Sequence, residues 1–252
     1  MSYTAVITGA SKGIGLDLAQ RLLAKGYTVI SIARNATEEF EHPEFETVKA
    51  DLLDPAAVEA AARDIAARHQ VTHFIHNAGM IWPNPVEDAS PDDLAGLTQL
   101  HLGSALTLLQ TFLPAMKDRR FGRVLFNGSR AALGVPTRTA YSATKAGQVG
   151  MARTWALELA PHGITVNVVA PGPVQTDNFW ASSPRGRSAR ASWPKTCRWA
   201  ASAPRAIFPT LSCFSATRRM ALSPGRPCMS AAGPACRRPP IKKAIKNASS
   251  GR

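Results

Sequence analysis

Tyr141 and Lys145 lie four residues apart in the run Tyr141-Ser142-Ala143-Thr144-Lys145, a spacing that puts phenol and ammonium on one face of a helix. A free tyrosine titrates near pH ~10 and is a poor acid–base at neutrality, but a neighbouring cation stabilises the phenolate and lowers that pKa. Ser129, twelve residues upstream, ends an apolar run. Alone, such a tyrosine–lysine pair is also what surface decoration looks like. A second segment able to do chemistry is Thr8-Gly9-Ala10-Ser11-Lys12-Gly13-Ile14-Gly15. Its glycines let a backbone turn tightly against a pyrophosphate, whose charge a following helix N-terminus stabilises. An ordinary glycine-rich turn is the competing reading.

Two cations narrow the ligand. Lys12 sits inside the glycine turn, and Arg34 follows the second apolar run as Ala33-Arg34. A site for NAD(H) would place a carboxylate there for the ribose 2′-hydroxyl. A cation instead welcomes a 2′-phosphate, so NADP(H) is expected in preference to NAD(H), unless Arg34 is a solvated loop charge.

The elements that must position these residues alternate along the chain. Strand-like runs occur at Tyr3–Thr8, Tyr27–Ile32, Glu46–Ala50, Thr72–His76, Arg123–Asn127 and Ile164–Val169. Helix-period stretches fill 13–25, 55–69, 91–117 and 139–161, with an irregular connection at 33–45. Pro55 and Pro91, each behind an Asp or Ser, mark helix first turns. Strands alternating with helices predict right-handed βαβ units, hence an α/β, doubly wound parallel sheet covered on both faces.

With Asn77-Ala78-Gly79 and Pro171-Gly172-Pro173-Val174-Gln175-Thr176 in their places, residues 3 to about 181 resemble the short-chain dehydrogenase/reductase family. The resemblance implies a Rossmann-like sheet and hydride transfer between a nicotinamide cofactor and a carbonyl or alcohol. Ser11 and Ile14 would meet the cofactor phosphates, with Gly9, Lys12, Gly13 and Gly15 shaping the turn. Asp51 and Leu52 would border the adenine, and Asn77, Ala78 and Gly79 would steady the fourth strand and the adenine ribose. Ser129 would hold the substrate carbonyl and Tyr141 would donate the proton. Lys145 would bind the nicotinamide ribose and tune Tyr141. Pro171 and Gly172 lead to Val174, which would meet the carboxamide, and to Thr176, which would touch a phosphate. Homo-oligomers through the helices at about 91–117 and 139–161 are also implied.

One departure stands inside the pattern. Where the family has an asparagine in a Val-Asn-Leu-like triplet, holding a water that relays protons to the lysine, this chain has Leu100-His101-Leu102. His101 either takes over that catalytic task or fills a polar gap. His69, His73 and His76 invite a metal reading, but His73 and His76 are an odd number apart on a strand and face opposite sides, so no metal site is expected. Met80-Ile81-Trp82 and Phe179-Trp180 line a pocket or simply pack.

Charge divides the chain of 252 residues. Residues 1–181 hold 15 Lys and Arg and all 17 Asp and Glu, whereas 182–252 hold 15 basic residues and no acid. The tail also carries all four cysteines and 9 of the 19 prolines. Such a break marks a catalytic domain over 1–181 and a separate tail over 182–252. The tail reads as a functional basic arm, a disordered linker, or a product of the wrong reading frame. Read one nucleotide earlier, Trp199-Ala200 and Met220-Ala221 each force a glycine where the family has one. The favoured expectation is therefore a frame slip near Arg185 that costs the family's seventh strand, exposes the Ile164–Val169 edge and impairs activity. A scaffold that binds cofactor without turnover, or an anionic-surface binder, are the alternatives; no motif for specific nucleic acid is visible. No run of 18 apolar residues exists, so no membrane span is expected, and the absence of a basic leader suggests a cytoplasmic protein.

Overall fold

Most strands of the sheet carry apolar residues on both faces, as a covered parallel sheet requires, whereas Phe45-Glu46-Thr47-Val48-Lys49 at the sheet's edge mixes in polar residues and is only half-buried. The computed structural model describes residues 3–37 and 40–172. Its strands are β1 (Thr4–Thr8), β2 (Thr28–Ala33), β3 (Phe45–Lys49), β4 (His73–His76), β5 (Gly122–Asn127) and β6 (Ile164–Val169). All pair in parallel, in the order β3-β2-β1-β4-β5-β6. This is the doubly wound, Rossmann-like α/β arrangement expected, with the chain reversing direction across the sheet between β1 and β4. Ligands bind at such a reversal, beyond the carboxyl ends of the strands.

The helices are α1 (Gly13–Leu23), α2 (Pro55–Arg68), α3 (Pro91–Thr98), α4 (Ser104–Asp118) and α5 (Thr139–Leu159). Their starts follow from local chemistry. Asp54 accepts from the Ala56 amide at 2.9 Å and Ser90 from the Asp92 amide at 3.0 Å; each such cap contributes about 1 kcal/mol. The proline behind each cap occupies a first-turn position that needs no amide hydrogen.

Period-two alternation sorts the strand residues. Val6, Ile30, Ile32, Phe74, Val124 and Phe126 point to one face, against α2, α4 and α5. Ala5, Ile7, Val29, Ile75 and Leu125 point to the other, against Leu18, Ala19, Leu22 and Leu23 of α1. His73 joins Tyr3, Tyr27 and Phe121 at the amino end of the sheet. His76 stacks edge-on against Phe126 on the opposite face, as the odd spacing requires.

The continuous helix expected over 91–117 is divided. A π turn at Gln99–Gly103 separates α3 from α4. Side chains stabilise the break: Ser104 Oγ donates to the Leu100 carbonyl at 2.7 Å, and Gln99 Nε2 reaches the Leu52 carbonyl at 3.3 Å. Such turns re-aim side chains and often mark functional positions; this one carries His101. Among the described residues β6 ends the sheet. The tail, and every expectation placed on 173–252, lies outside the described residues.

Candidate active site

The ends of β1, β4 and β5 are stitched together by two side chains. Thr8 Oγ1 accepts from the amides of Asn77 and Ala78, each at 3.0 Å, so its own hydrogen goes to His76 Nδ1 at 3.1 Å. Asn77 Nδ2 donates to the carbonyls of Thr8 (3.1 Å) and Gly9 (3.0 Å), while its Oδ1 accepts from Asn127 at 2.9 Å. The turn that follows β1 needs glycine: Gly9 and Gly13 have φ of 71° and 61°, where a side chain is strained. A Cβ on Gly15 would press on the Gly9 carbonyl oxygen and lie 2.6 Å from Asn77 Nδ2.

Lys12 begins α1 in extended conformation with no side-chain cap, and no acid occupies the first turn. The positive end of the helix dipole is thus not neutralised by the chain's own carboxylates, and a bare backbone cradle precedes it. These features fit the pyrophosphate of a dinucleotide. Ser11 and Ile14 are half-buried, Lys12 and Gly13 exposed. Arg34 is exposed immediately after β2, and Asp51, exposed after β3, accepts from the Leu53 amide at 3.0 Å. Leu52 is buried, Ala78 and Gly79 are half-buried, and Pro171 and Gly172 follow β6. Val174 and Thr176 lie outside the described residues.

Ser129, Tyr141 and Lys145 converge beside this turn. Ser129 Oγ accepts from the Ala131 amide at 3.1 Å, capping the short turn Arg130–Leu133, and its hydroxyl faces that of Tyr141 and favours the phenolate. Burial holds the Tyr141 phenol above its usual value, against the Ser129 hydrogen bond and the positive charge of Arg138. The expected depression is therefore not a property of the protein alone, because dehydration of the phenolate outweighs its neighbours. Lys145 Nζ lies 5.6 Å from the Tyr141 ring centre and donates to the Asn127 carbonyl at 2.8 Å and to Gln148 Oε1 at 3.2 Å. Among the described residues no carboxylate pairs with it, and burial brings its pKa down to about 7.

His101 is fully buried beneath these groups, its ring edge-on to Tyr141 at 5.6 Å. Thr144 Oγ1 gives its hydrogen to the Tyr141 carbonyl at 3.0 Å, so His101 Nδ1, 2.8 Å away, is the donor of that pair. Nε2 is then a lone-pair acceptor, without a hydrogen-bond partner among the described residues. A Cβ on Gly79 would lie 3.0 Å from it and 3.8 Å from Lys145 Nζ, so both nitrogens border one small space. Burial, then the Lys145 charge and the proximity of His76, hold the imidazole neutral, with a pKa down to about 2.

Sequence reasoning missed Thr8, His76, Asn127, Thr144 and Gln148 as parts of this network. Gln148 left a local signal, three residues beyond Lys145 and so on the same face of α5, and Thr8 and Thr144 lay inside the runs already singled out. Among the described residues no cluster of three metal-ligating side chains occurs, and no helix is long and apolar enough to cross a membrane.

The short chain dehydrogenase family profile matches residues 3–186. The chain belongs to the short-chain dehydrogenase/reductase family. It is similar to the 3-oxoacyl-(acyl-carrier-protein) reductase of Salmonella typhimurium, 33% identical over 180 residues, covering 69% of this chain and 74% of that protein. The corresponding reductase of Mycobacterium avium is 32% identical over 181 residues, covering 70% and 69%. Among solved structures, a proposed NAD(P)-dependent gluconate 5-dehydrogenase from Beutenbergia cavernae, with NADP bound at low occupancy, superposes with a TM-score of 0.67 at 31% identity. That likeness covers 75% of this chain and 79% of the other. As a short-chain dehydrogenase the chain is an oxidoreductase with a site for a nicotinamide cofactor.

Proposed function

We propose that this short-chain dehydrogenase uses NADP(H) to interconvert a small-molecule carbonyl and its alcohol, with Tyr141 as proton donor. The observation that carries this reading is the Ser129–Tyr141 hydroxyl pair with the Lys145 ammonium beneath it. Ser129 and Tyr141 can share one substrate oxygen. When bound, the reduced nicotinamide would supply hydride to the carbonyl carbon. Tyr141 gives its proton to the oxygen, and Lys145 stabilises the phenolate left behind, which burial alone disfavours. Gly9, Ser11, Gly13, Ile14 and Gly15 would hold the pyrophosphate. Lys12 and Arg34 would meet the adenosine 2′-phosphate, since the position directly after β2 is Arg34 rather than an acid that would select a free hydroxyl. The NADP in the Beutenbergia structure accords with this choice.

Two copies would associate through α3–α4 and α5, where Leu94, Leu106 and Leu157 are exposed. The family match stops at residue 186, beside the position where the composition changes. We therefore read the chain as out of frame from about Arg185 onward, and sequencing across codons 178–190 tests that.

NADPH fluorescence titration and turnover on a panel of ketones and aldehydes test the central reading. Tyr141→Phe should lower kcat by about a thousandfold or more while NADPH affinity stays within twofold. Undiminished turnover in that variant removes Tyr141 from the mechanism.

A further inference from the structure

Gln148 is fully buried on α5, one turn beyond Lys145. Its Oε1 accepts from Lys145 Nζ at 3.2 Å and its Nε2 donates to the main-chain carbonyl of His101 at 3.1 Å. Chemistry fixes this orientation of the amide. An ammonium only donates and a carbonyl only accepts, so a flipped amide would lose both bonds. A side chain of this reach that offers one acceptor and one donor without charge is glutamine.

We propose that Gln148 is a positioning residue whose amide ties the Lys145 ammonium to the π turn at His101, and holds it beside Tyr141 without supplying a counter-charge. The inference rests on the function proposed above. The groups that face Lys145 are Tyr141 and Gln148 from α5, the Asn127 carbonyl from β5, His76 from β4 and His101 from the π turn. None of these carries negative charge; Arg138, which faces Tyr141, is itself positive. Among the described residues the lysine charge thus meets carbonyl dipoles and the face of the Tyr141 ring but no counter-charge, and burial dominates its titration. A glutamate at 148 would supply the missing charge and set a carboxylate oxygen against the His101 carbonyl. A leucine would remove both bonds and leave the Asn127 carbonyl as the lysine's partner.

Gln148→Glu and Gln148→Leu must therefore act in opposite directions. The measurement is the titration of Lys145 in the full-length protein, by NMR of ¹³Cε-labelled lysine, with the signal assigned by its loss in Lys145→Arg. Gln148→Glu raises the midpoint by about one pH unit and Gln148→Leu lowers it by a similar amount. Reduction of a carbonyl substrate loses rate as pH rises through the Lys145 midpoint, so that limb moves up in the glutamate variant and down in the leucine variant. The change falls on kcat, about tenfold at pH 8 for Gln148→Leu, with KM for the carbonyl within twofold. If leucine prevents folding, Gln148→Met fills the same volume without hydrogen bonds and must shift the midpoint the same way. Midpoints that stay within 0.2 pH units (~) in both variants, or that move together, overturn the proposal. Opposite shifts in a protein that turns over no carbonyl would leave the clamp standing and remove the function.

Discussion

The turn between β1 and α1 and the cluster beneath Tyr141 are both polar and both lie at the carboxyl ends of the same strands. They are made of different material. The turn is main chain, held by carbonyls and amides that Thr8 and Asn77 tie down, and its requirement is that side chains be missing at Gly9, Gly13 and Gly15. The cluster is side chains: Lys145, Gln148, His101 and Thr144, all buried, each supplying a donor or acceptor that another needs. A site built from backbone is broken by adding atoms. A site built from buried side chains is broken by changing which atoms donate.

The sharpest test of the first half is Gly15→Ala. The added methyl meets the Gly9 carbonyl, the Ala10 Cα at 2.9 Å and Asn77 Nδ2 at 2.6 Å, and two of these are backbone that cannot swing aside. Overpacking of this kind costs up to about 3 kcal/mol. Chemical denaturation should show that loss, and NADPH titration a fall in affinity of at least about tenfold, because the cradle itself must widen. Unchanged affinity would mean the turn does not hold the cofactor.

The same difference decides what could be read from the sequence. The sheet was legible because apolar runs and capped helix starts are local; Asp54 and Ser90 cap the helices whose prolines announced them. The glycine turn and the Tyr141–Lys145 pair were legible because a few consecutive residues carry each. The π turn was not, since the Ser104 and Gln99 bonds that stabilise it leave no trace in hydrophobic periodicity. Gln148 and His101 are 47 residues apart, and neither predicts the other. The rise of the Tyr141 pKa was also invisible, because the dehydration that causes it depends on tertiary packing.

Arg34 offers a smaller test on the backbone-built side. It stands exposed after β2, where the proposed function has its charge select the cofactor. Arg34→Asp removes a charge-assisted bond to a 2′-phosphate, worth about 2 kcal/mol, and offers a carboxylate to a free ribose hydroxyl. The NADPH-to-NADH ratio of kcat/KM should therefore fall about thirtyfold, with thermal stability unchanged. A constant ratio would return Arg34 to the status of a solvated loop charge.

A test with no effect at neutral pH lies in acid, where the buried cluster can be compared with the opposite end of the sheet. His76 and His101 are buried neutral beside Lys145, with pKa values down to about 3 and about 2. His73, among Tyr3, Tyr27 and Phe121, is brought down to about 3 by burial and then by the Arg123 charge. All three folded values lie below the unfolded value near ~6.5, so their contribution is fully present above that pH and is lost as pH falls towards the folded values. Below pH ~6.5 the unfolded chain binds protons that the folded chain refuses, and each histidine contributes a slope of about 1.4 kcal/mol per pH unit. Between pH ~6.5 and ~4.5, before the carboxylates enter, the three together give about 4 kcal/mol per unit. Urea unfolding across that range measures it. His101→Asn and His73→Phe should each remove about a third of the slope, although one residue lies beneath the tyrosine and the other at the far end of β4. If only His101→Asn flattens the curve, then the imidazole at the far end charges within the folded protein, and the burial of His73 does not keep it neutral.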